Sequence, residues 1–232
     1  MSHANTASRE EMTDLVWTIV VAGGLGLRFG GRKQFAELAG RSVVQRSVDA
    51  ATSVSAGIIV VVPTDAVAEQ RLSSTADLLV VAGGGTRAES VRAGLAQVPA
   101  TATTILVHDA ARPLATAELF AAIVDTIRNG AQAAVPAVAV ADTIRQRSGG
   151  VIDRDELITV QTPQGFVAST LRSAHQSAGE ATDDATLVEA LGVTVSIVEG
   201  EPQNRKLTEP IDLVAASAII DHLDGQDREP SP

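Results

Sequence analysis

Short apolar runs alternate along this chain with segments whose apolar positions recur at helical spacing. The runs Thr18–Ala22, Ile58–Val62, Leu78–Ala82, Thr104–Val107, Ala133–Val140 and Val193–Glu199 are continuous and rich in β-branched residues, so they predict strands covered on both faces. Between them the spacing predicts helices over Ser42–Thr52, briefly after Asp65, over Ala88–Gln97 and over Ala117–Asn129 with Thr116 as N-cap. Further helices are predicted over Ala168–Ala178, over Asp184–Leu191 capped by Thr182 or Asp183, and over Ile211–Leu223 behind Pro210. Strands that take turns with helices bury their faces in a mostly parallel sheet with helices on both sides, which makes the chain an α/β protein.

One stretch breaks the rhythm. Residues 141–160 are polar and rich in turn formers, with Gly149-Gly150 between Thr143-Ile144-Arg145 and Val151-Ile152-Asp153. That reads as a β-arm reaching away from the sheet. A lone hairpin has little core of its own, so the arm is expected to pack on a partner subunit. Residues 1–14 have no usable period and read as a flexible N-terminal arm, and 225–232 as a flexible tail. Residues 15–224 are then a single domain, with no composition break inside it.

Composition removes several chemistries. There is no cysteine, and the four histidines (His3, His108, His175, His222) have no metal-ligand spacing, so chemistry must rest on oxygen and nitrogen groups. A formal net charge of −10 argues against binding a polyanionic nucleic acid. No apolar run is long enough to span a bilayer and the start lacks an apolar leader core, so a cytoplasmic protein is expected. Lysine occurs only at Lys33 and Lys206, both in loops.

The first strand ends in a loop, residues 23–33, with five glycines, Arg28, Arg32 and Lys33. Glycines let backbone N–H groups close around phosphate, and fixed cations add to the attraction. Neither familiar phosphate motif fits: Arg32-Lys33-Gln34 stands where a P-loop needs Gly-Lys-Ser/Thr, and Phe29 stands where the dinucleotide fingerprint needs its third glycine. In a parallel sheet, ligands sit beyond the carboxyl ends of the strands. The residues that follow successive strands form a short list: Arg28 and Lys33; then Gly83-Gly84-Gly85-Thr86-Arg87 with Ser90; then Asp109 and Arg112; then Asn204-Arg205-Lys206. Each has a plainer reading, the glycines and 162–165 as turns, Asp109 as a helix cap, His108 as a packed neighbour. Their convergence on one sheet edge favours a site of cations for phosphates with one carboxylate for a divalent metal. Magnesium suits a single carboxylate, because phosphates and water complete its octahedron.

These segments resemble the 2-C-methyl-D-erythritol 4-phosphate cytidylyltransferases of the non-mevalonate isoprenoid pathway. The resemblance runs from about Val16 to Ile220 and is carried by AGGLGLRF and RKQF (22–29 and 32–35), GGGTRAES (83–90), VHDAARP (107–113), ADT (141–143), VIDR (151–154), QTPQGF (161–166), TDDA (182–185) and NRKLT (204–208). It implies a Rossmann-like nucleotidyltransferase domain of GT-A-like type, completed as a homodimer by the arm. It further implies that CTP and methylerythritol phosphate react to the CDP-alcohol and pyrophosphate with magnesium. Carried over by position, Arg28, Lys33 and Lys206 contact the triphosphate and its transition state. Ala22, Gly23, Gly24, Gly26, Gly84, Gly85, Arg87 and Ser90 surround the nucleotide. Asp109 organises magnesium and the substrate diol, with Arg112, Thr162 and Thr182 nearby, and Thr143 and Arg154 reach the sugar phosphate of the neighbouring subunit. The chain departs from the family in Val21-Ala22-Gly23-Gly24, in the short gap from Arg28 to Lys33, and in Gly85, where the family commonly has Asp.

The implied nucleophile is a phosphate monoester with a second pKa of about 6, dianionic near neutrality, so no general base is needed. Two other readings are a ribitol 5-phosphate cytidylyltransferase, whose relatives share the first loop and the TPQ turn, and a nucleotide-binding regulator without catalysis. The intact VHDAARP stretch favours the first acceptor, and the presence of Arg28, Lys33, Asp109 and Lys206 favours an enzyme.

Overall fold

The computed structural model describes residues 15–24, 29–177, 181 and 183–226. The chain opens with β1 (Val16–Val21), a 3-10 turn at Lys33–Phe35, a small hairpin of β2 (Glu37–Leu38) and β3 (Arg41–Ser42), and α1 (Val43–Thr52). Next come β4 (Gly57–Val62), β5 (Asp77–Ala82), α2 (Arg87–Leu95), β6 (Thr104–Asp109), α3 (Ala117–Arg128) and β7 (Ala133–Ala139). The arm holds β8 (Ile144–Arg145) and β9 (Val151–Ile152), and is followed by β10 (Ile158–Val160), β11 (Gln164–Val167), α4 (Ala168–Ser177), α5 (Asp184–Glu189), β12 (Val195–Glu199) and α6 (Pro210–Gln226).

Across the main sheet the pairings run β7–β11–β6–β1–β4–β5, and β10 and β12 also pair with β7. The pairs β1/β4, β1/β6, β4/β5 and β7/β12 are parallel, whereas β11 is antiparallel to both its neighbours and β10 to β7. The sheet is thus mixed and mostly parallel, as the strand and helix rhythm requires. Alternation along the central strands separates two cores. Val20, Ile58, Val60 and Leu106 pack with Val44, Val48, Phe120 and Ile123 of α1 and α3. Ile19, Ile59, Val61, Ile105 and Val107 pack with Val91, Leu95, Leu171 and Leu187 on the other face. Every residue of β4 and β6 is buried, which is why Ile58–Val62 and Ile105–Val107 read as unbroken apolar runs.

Four readings of the sequence are corrected. Residues 162–165 are more than a turn: they lead into β11, which sits between β6 and β7 in the middle of the sheet. Ile158–Val160 belongs to the sheet and not to the arm, leaving the hairpin 144–152 as the projecting part. Between β10 and β11 the register against β7 slips. Val160 faces Ala137 and Gly165 faces Ala134, so five steps of one chain span three of the other. The extra residues bulge out at Gln161–Pro163, and bulges re-aim side chains at sites. Asp109 is the last residue of β6 and not a helix cap. At the other end, α6 continues to Gln226, two residues into the expected tail. Residues 1–14 and Ala178 lie outside the described residues, and no helix among the described residues is long and apolar enough to cross a membrane.

Candidate active site

The strand ends assemble the site. Val21 and Asp109 are register partners at the carboxyl ends of β1 and β6, and Ala110 N–H donates to the Val21 carbonyl, so the first glycine loop leaves the sheet beside Asp109. The loop is held from below by Gln34, only 3% exposed, whose amide donates to the carbonyls of Ala22 (2.8 Å) and Gly24 (3.0 Å). The second glycine loop follows β5 and enters α2. Thr86 and Glu89 form a capping box there, and the Glu89 carboxylate accepts the N–H of Gly85 at 2.6 Å and of Thr86 at 3.1 Å. Ser90 is the spacer between the two loops. A Cβ on Gly83 would lie 2.7 Å from its Oγ, so only glycine fits there, and one on Gly23 would lie 3.3 Å away.

Lys206 arrives from the far end of the chain. The neighbouring Leu207 is buried in a small core with Leu38, Val43, Ala216 and Ile220, and its N–H donates to the Ala111 carbonyl at 2.7 Å. Lys33 Nζ donates to the Leu207 carbonyl, so the two lysine loops are tied together. Lys206 Nζ is 2.6 Å from Asp109 Oδ2, and Arg87 Nε is 3.2 Å from Asp109 Oδ1. Burial by itself would raise the Asp109 carboxyl, but the charges of Arg87 and Lys206 reverse this and hold it far below the usual carboxylate range. Arg87 is likewise opposed by burial and raised by Asp109 and Asp184.

Behind Asp109 lies a closed polar layer. Its N–H donates to Thr162 Oγ at 3.1 Å, and the Thr162 hydroxyl lies 3.0 Å from His108 Nδ1, while His108 Nε2 lies 3.3 Å from the Arg112 carbonyl. Burial pushes the His108 imidazole down to about 4; Asp109 opposes this and Arg112 reinforces it. His108 is therefore neutral near pH 7, packs on the Phe120 ring at 5.0 Å and has both nitrogens occupied, as expected of a structural neighbour.

Lys33, Ala22, Gly23, Gly24, Gly84, Gly85, Arg87, Ser90, Asp109 and Lys206 all line one cleft of about 550 Å³. Four other expected residues lie elsewhere. Arg112 donates to the carbonyls of Asn204 (2.8 Å) and Val160 (3.2 Å), and it and Thr162 stand outside the cleft lining. Thr143 and Arg154 come together in a separate hollow of about 420 Å³ on the arm, where Arg154 also donates to the Ala141 carbonyl at 2.6 Å. Gly26, Arg28 and Thr182 lie outside the described residues, and α5 is capped by Asp183, which accepts the Thr186 N–H at 3.0 Å. Gln34, Glu89 and Asp184 were missed as supports of the site, although Thr86-Arg87-Ala88-Glu89 carries the capping-box spacing openly.

Such a cleft, with two glycine loops and cations around one carboxylate, suits a nucleotide and neutralises charge at a phosphoryl group. A family model for 2-C-methyl-D-erythritol 4-phosphate cytidylyltransferase matches residues 16–222. A protein of that name from Rhodococcus jostii is 43% identical over 216 residues, covering 89% of this chain and 95% of the relative. One from Streptomyces coelicolor is 38% identical over 225 residues, covering 87% and 83%. The crystal structure of the Thermus thermophilus protein of the same name superposes with a TM-score of 0.77 at 34% identity, covering 89% of this chain and 99% of that one.

Proposed function

The chain belongs to the 2-C-methyl-D-erythritol 4-phosphate cytidylyltransferase family, a family of nucleotidyltransferases, and from that premise we propose how its cleft works. The reaction is attack by the phosphate of methylerythritol phosphate on the α-phosphorus of CTP, in line with the departing pyrophosphate. A new P–O bond forms to the acceptor phosphate as the bond to the β-phosphate oxygen breaks, giving 4-diphosphocytidyl-2-C-methyl-D-erythritol. The nucleophile is dianionic near neutrality, so no proton need be removed by the protein. His108, buried and hydrogen-bonded at both nitrogens, is consistent with that.

The observation that carries the reading is the set of cations around Asp109 in a cleft between two glycine loops. Lys206 is 47% exposed at its side chain and can turn from Asp109 to a phosphate oxygen, with Lys33 beside it through Leu207. Both then counter the charge that accumulates during in-line displacement. The donor set fits magnesium: Asp109 is a single carboxylate at the cleft, and no group of three or more His, Asp or Glu among the described residues competes for an ion. Bound at Asp109, magnesium would supply further positive charge to the phosphates.

The same reading makes the protein a cytoplasmic homodimer. Val151 on the arm and Ile158 on β10 are 61% and 50% exposed, an apolar surface that a second copy would cover while Thr143 and Arg154 reach that copy's cleft. Pyrophosphate release from each of the four nucleoside triphosphates, offered methylerythritol phosphate or ribitol 5-phosphate with magnesium, tests the activity. Turnover is expected with CTP and methylerythritol phosphate. Turnover only with ribitol 5-phosphate would replace the acceptor, and CTP binding without release with either acceptor would leave a regulator.

A further inference from the structure

A second carboxylate stands behind the cleft wall without lining it. Asp184 is the first residue of α5 and its side chain is 1% exposed. Its Oδ2 accepts from Arg87 Nη1 at 2.7 Å, and its Oδ1 lies 2.9 Å from Nε2 of His175, a residue of α4 whose side chain is 3% exposed. From the cleft inward, Asp109, Arg87, Asp184 and His175 form one row across four elements. Asp184 is not needed to start its helix. Asp183 caps α5, and Gln164 Oε1 accepts the Ala185 N–H at 3.2 Å. Nor does α5 lack an apolar anchor, since Leu187 and Val188 are buried in the core. A buried carboxylate is costly without close partners, and here one partner, Arg87, reaches the cleft while the other, His175, backs the carboxylate from the far side.

The row makes the two oxygens of Asp109 unequal. Oδ1 is held by Arg87, 23% exposed and fastened at its other end. Oδ2 is held by Lys206, twice as exposed at 47% and carried on a flexible stem. We propose that Asp184, backed by His175, is a positioning residue for nucleotidyl transfer: it pins Arg87 on Asp109 Oδ1, so that only Oδ2 becomes available when Lys206 turns to the triphosphate. The inference rests on the nucleotidyltransferase reading of the cleft. Without the charge of Asp184, Arg87 is free to shift onto Oδ2 and compete there with a divalent cation.

Asp184→Asn keeps the shape and removes the charge. Relative to the wild type, it is expected to lower kcat about tenfold and to weaken binding of Mn2+ to the enzyme–CTP complex, measured by electron paramagnetic resonance of free Mn2+, by about the same factor. The KM for the acceptor should stay within about twofold, because the acceptor is held by other groups. A folded variant with wild-type kcat and wild-type Mn2+ binding, less stable or not, overturns the proposal. Should Asp184→Asn fail to fold, His175 decides. His175→Gln retains a donor and should keep both values near wild type, whereas His175→Phe should lose about threefold in each. Equal, undiminished Mn2+ binding in those two variants also overturns it. The wild type serves as the control for the underlying reading: if it releases no pyrophosphate with CTP and either acceptor, the proposed activity fails, and if it does so while Asp184→Asn matches it, only the positioning role fails.

Discussion

The guanidinium of Arg112 donates to the carbonyl of Val160, 48 positions away, and so fastens the loop after β6 to the last residue of β10. A second donation, to Asn204 at 2.8 Å, fastens the same loop to the segment that carries Lys206. These bonds give Arg112 a framework role, where the family resemblance implies contact with substrate. Arg112→Ala leaves two carbonyls without their donor, and is expected to lower stability by about 2 to 3 kcal/mol in urea unfolding. A variant as stable as the wild type that loses only acceptor affinity would return Arg112 to the substrate.

Lys206 and Lys33 should behave differently from Arg112. Their contribution is realised when charge builds at the α-phosphorus, so Lys206→Ala should lower kcat by roughly 10² to 10³ while the protein stays folded. Lys33→Ala should fall in the same range, since it loses a cation and the tie to the Leu207 carbonyl. Single-turnover pyrophosphate release, paired with circular dichroism, checks both. Near-normal turnover in either variant removes that lysine from the chemistry.

Gln34 holds the start of the first glycine loop through the carbonyls of Ala22 and Gly24. Gln34→Leu removes the amide and leaves both carbonyls unpaired, and a loss of about 1.4 kcal/mol in binding corresponds to about tenfold in affinity. The expected result is a KM for CTP raised by about that factor, with the KM for the acceptor little changed. An effect confined to the acceptor would place the loop's role elsewhere.

The parts of this molecule that could be read in the sequence are those whose signal is local. Buried parallel strands such as Gly57–Val62 are unbroken apolar runs, and loop cations such as Lys206 stand out because lysine is scarce. β11 was illegible for a physical reason. Gln164 is 1% exposed but polar, satisfied by Asp183 and Ala185, and Gly165 is there because a Cβ would lie 2.3 Å from Ile123 Cγ2 beneath α3. A central strand built from such residues looks like a turn. Asp184 and His175 were passed over for the same cause: a charge satisfied inside the protein has the same letter as one on the surface.

His108 predicts a pH dependence of stability. Its pKa is pushed down to about 4 by burial, below the ordinary 6.5, so the unfolded chain binds more protons between those values. Stability from this source is complete above about pH 6.5 and declines as the pH falls toward 4, by about 3 kcal/mol in all. Burial works against the depression of Asp109 while Arg87 and Lys206 cause it, and its contribution is lost only below the ordinary carboxylate value. The interval from about 4.5 to 6.5 is therefore where His108 acts. Unfolding midpoints should drop with pH across that interval in the wild type and less steeply in His108→Gln. Parallel curves would show that another group carries the dependence.

The arm gives the sharpest test of assembly. Thr143 and Arg154 line a hollow that shares no residue with the central cleft, and the proposed reading has the arm meet the cleft of a second copy. In a dimer, Arg154→Ala then disables the partner's site and Lys206→Ala disables its own. A hybrid of the two variants contains one site with both groups intact, so mixing two poorly active proteins should restore activity. With random exchange, half the dimers are hybrids with one working site each, and recovery should approach about a quarter of the wild-type rate. Sedimentation velocity must show each variant still dimeric, because Arg154 is half exposed and its loss should leave the apolar contact through Val151 and Ile158 in place. No recovery from dimeric, poorly active variants that exchange subunits would mean that Arg154 acts on its own chain's site, whereas a dimeric Arg154→Ala with normal turnover would leave the arm serving assembly alone.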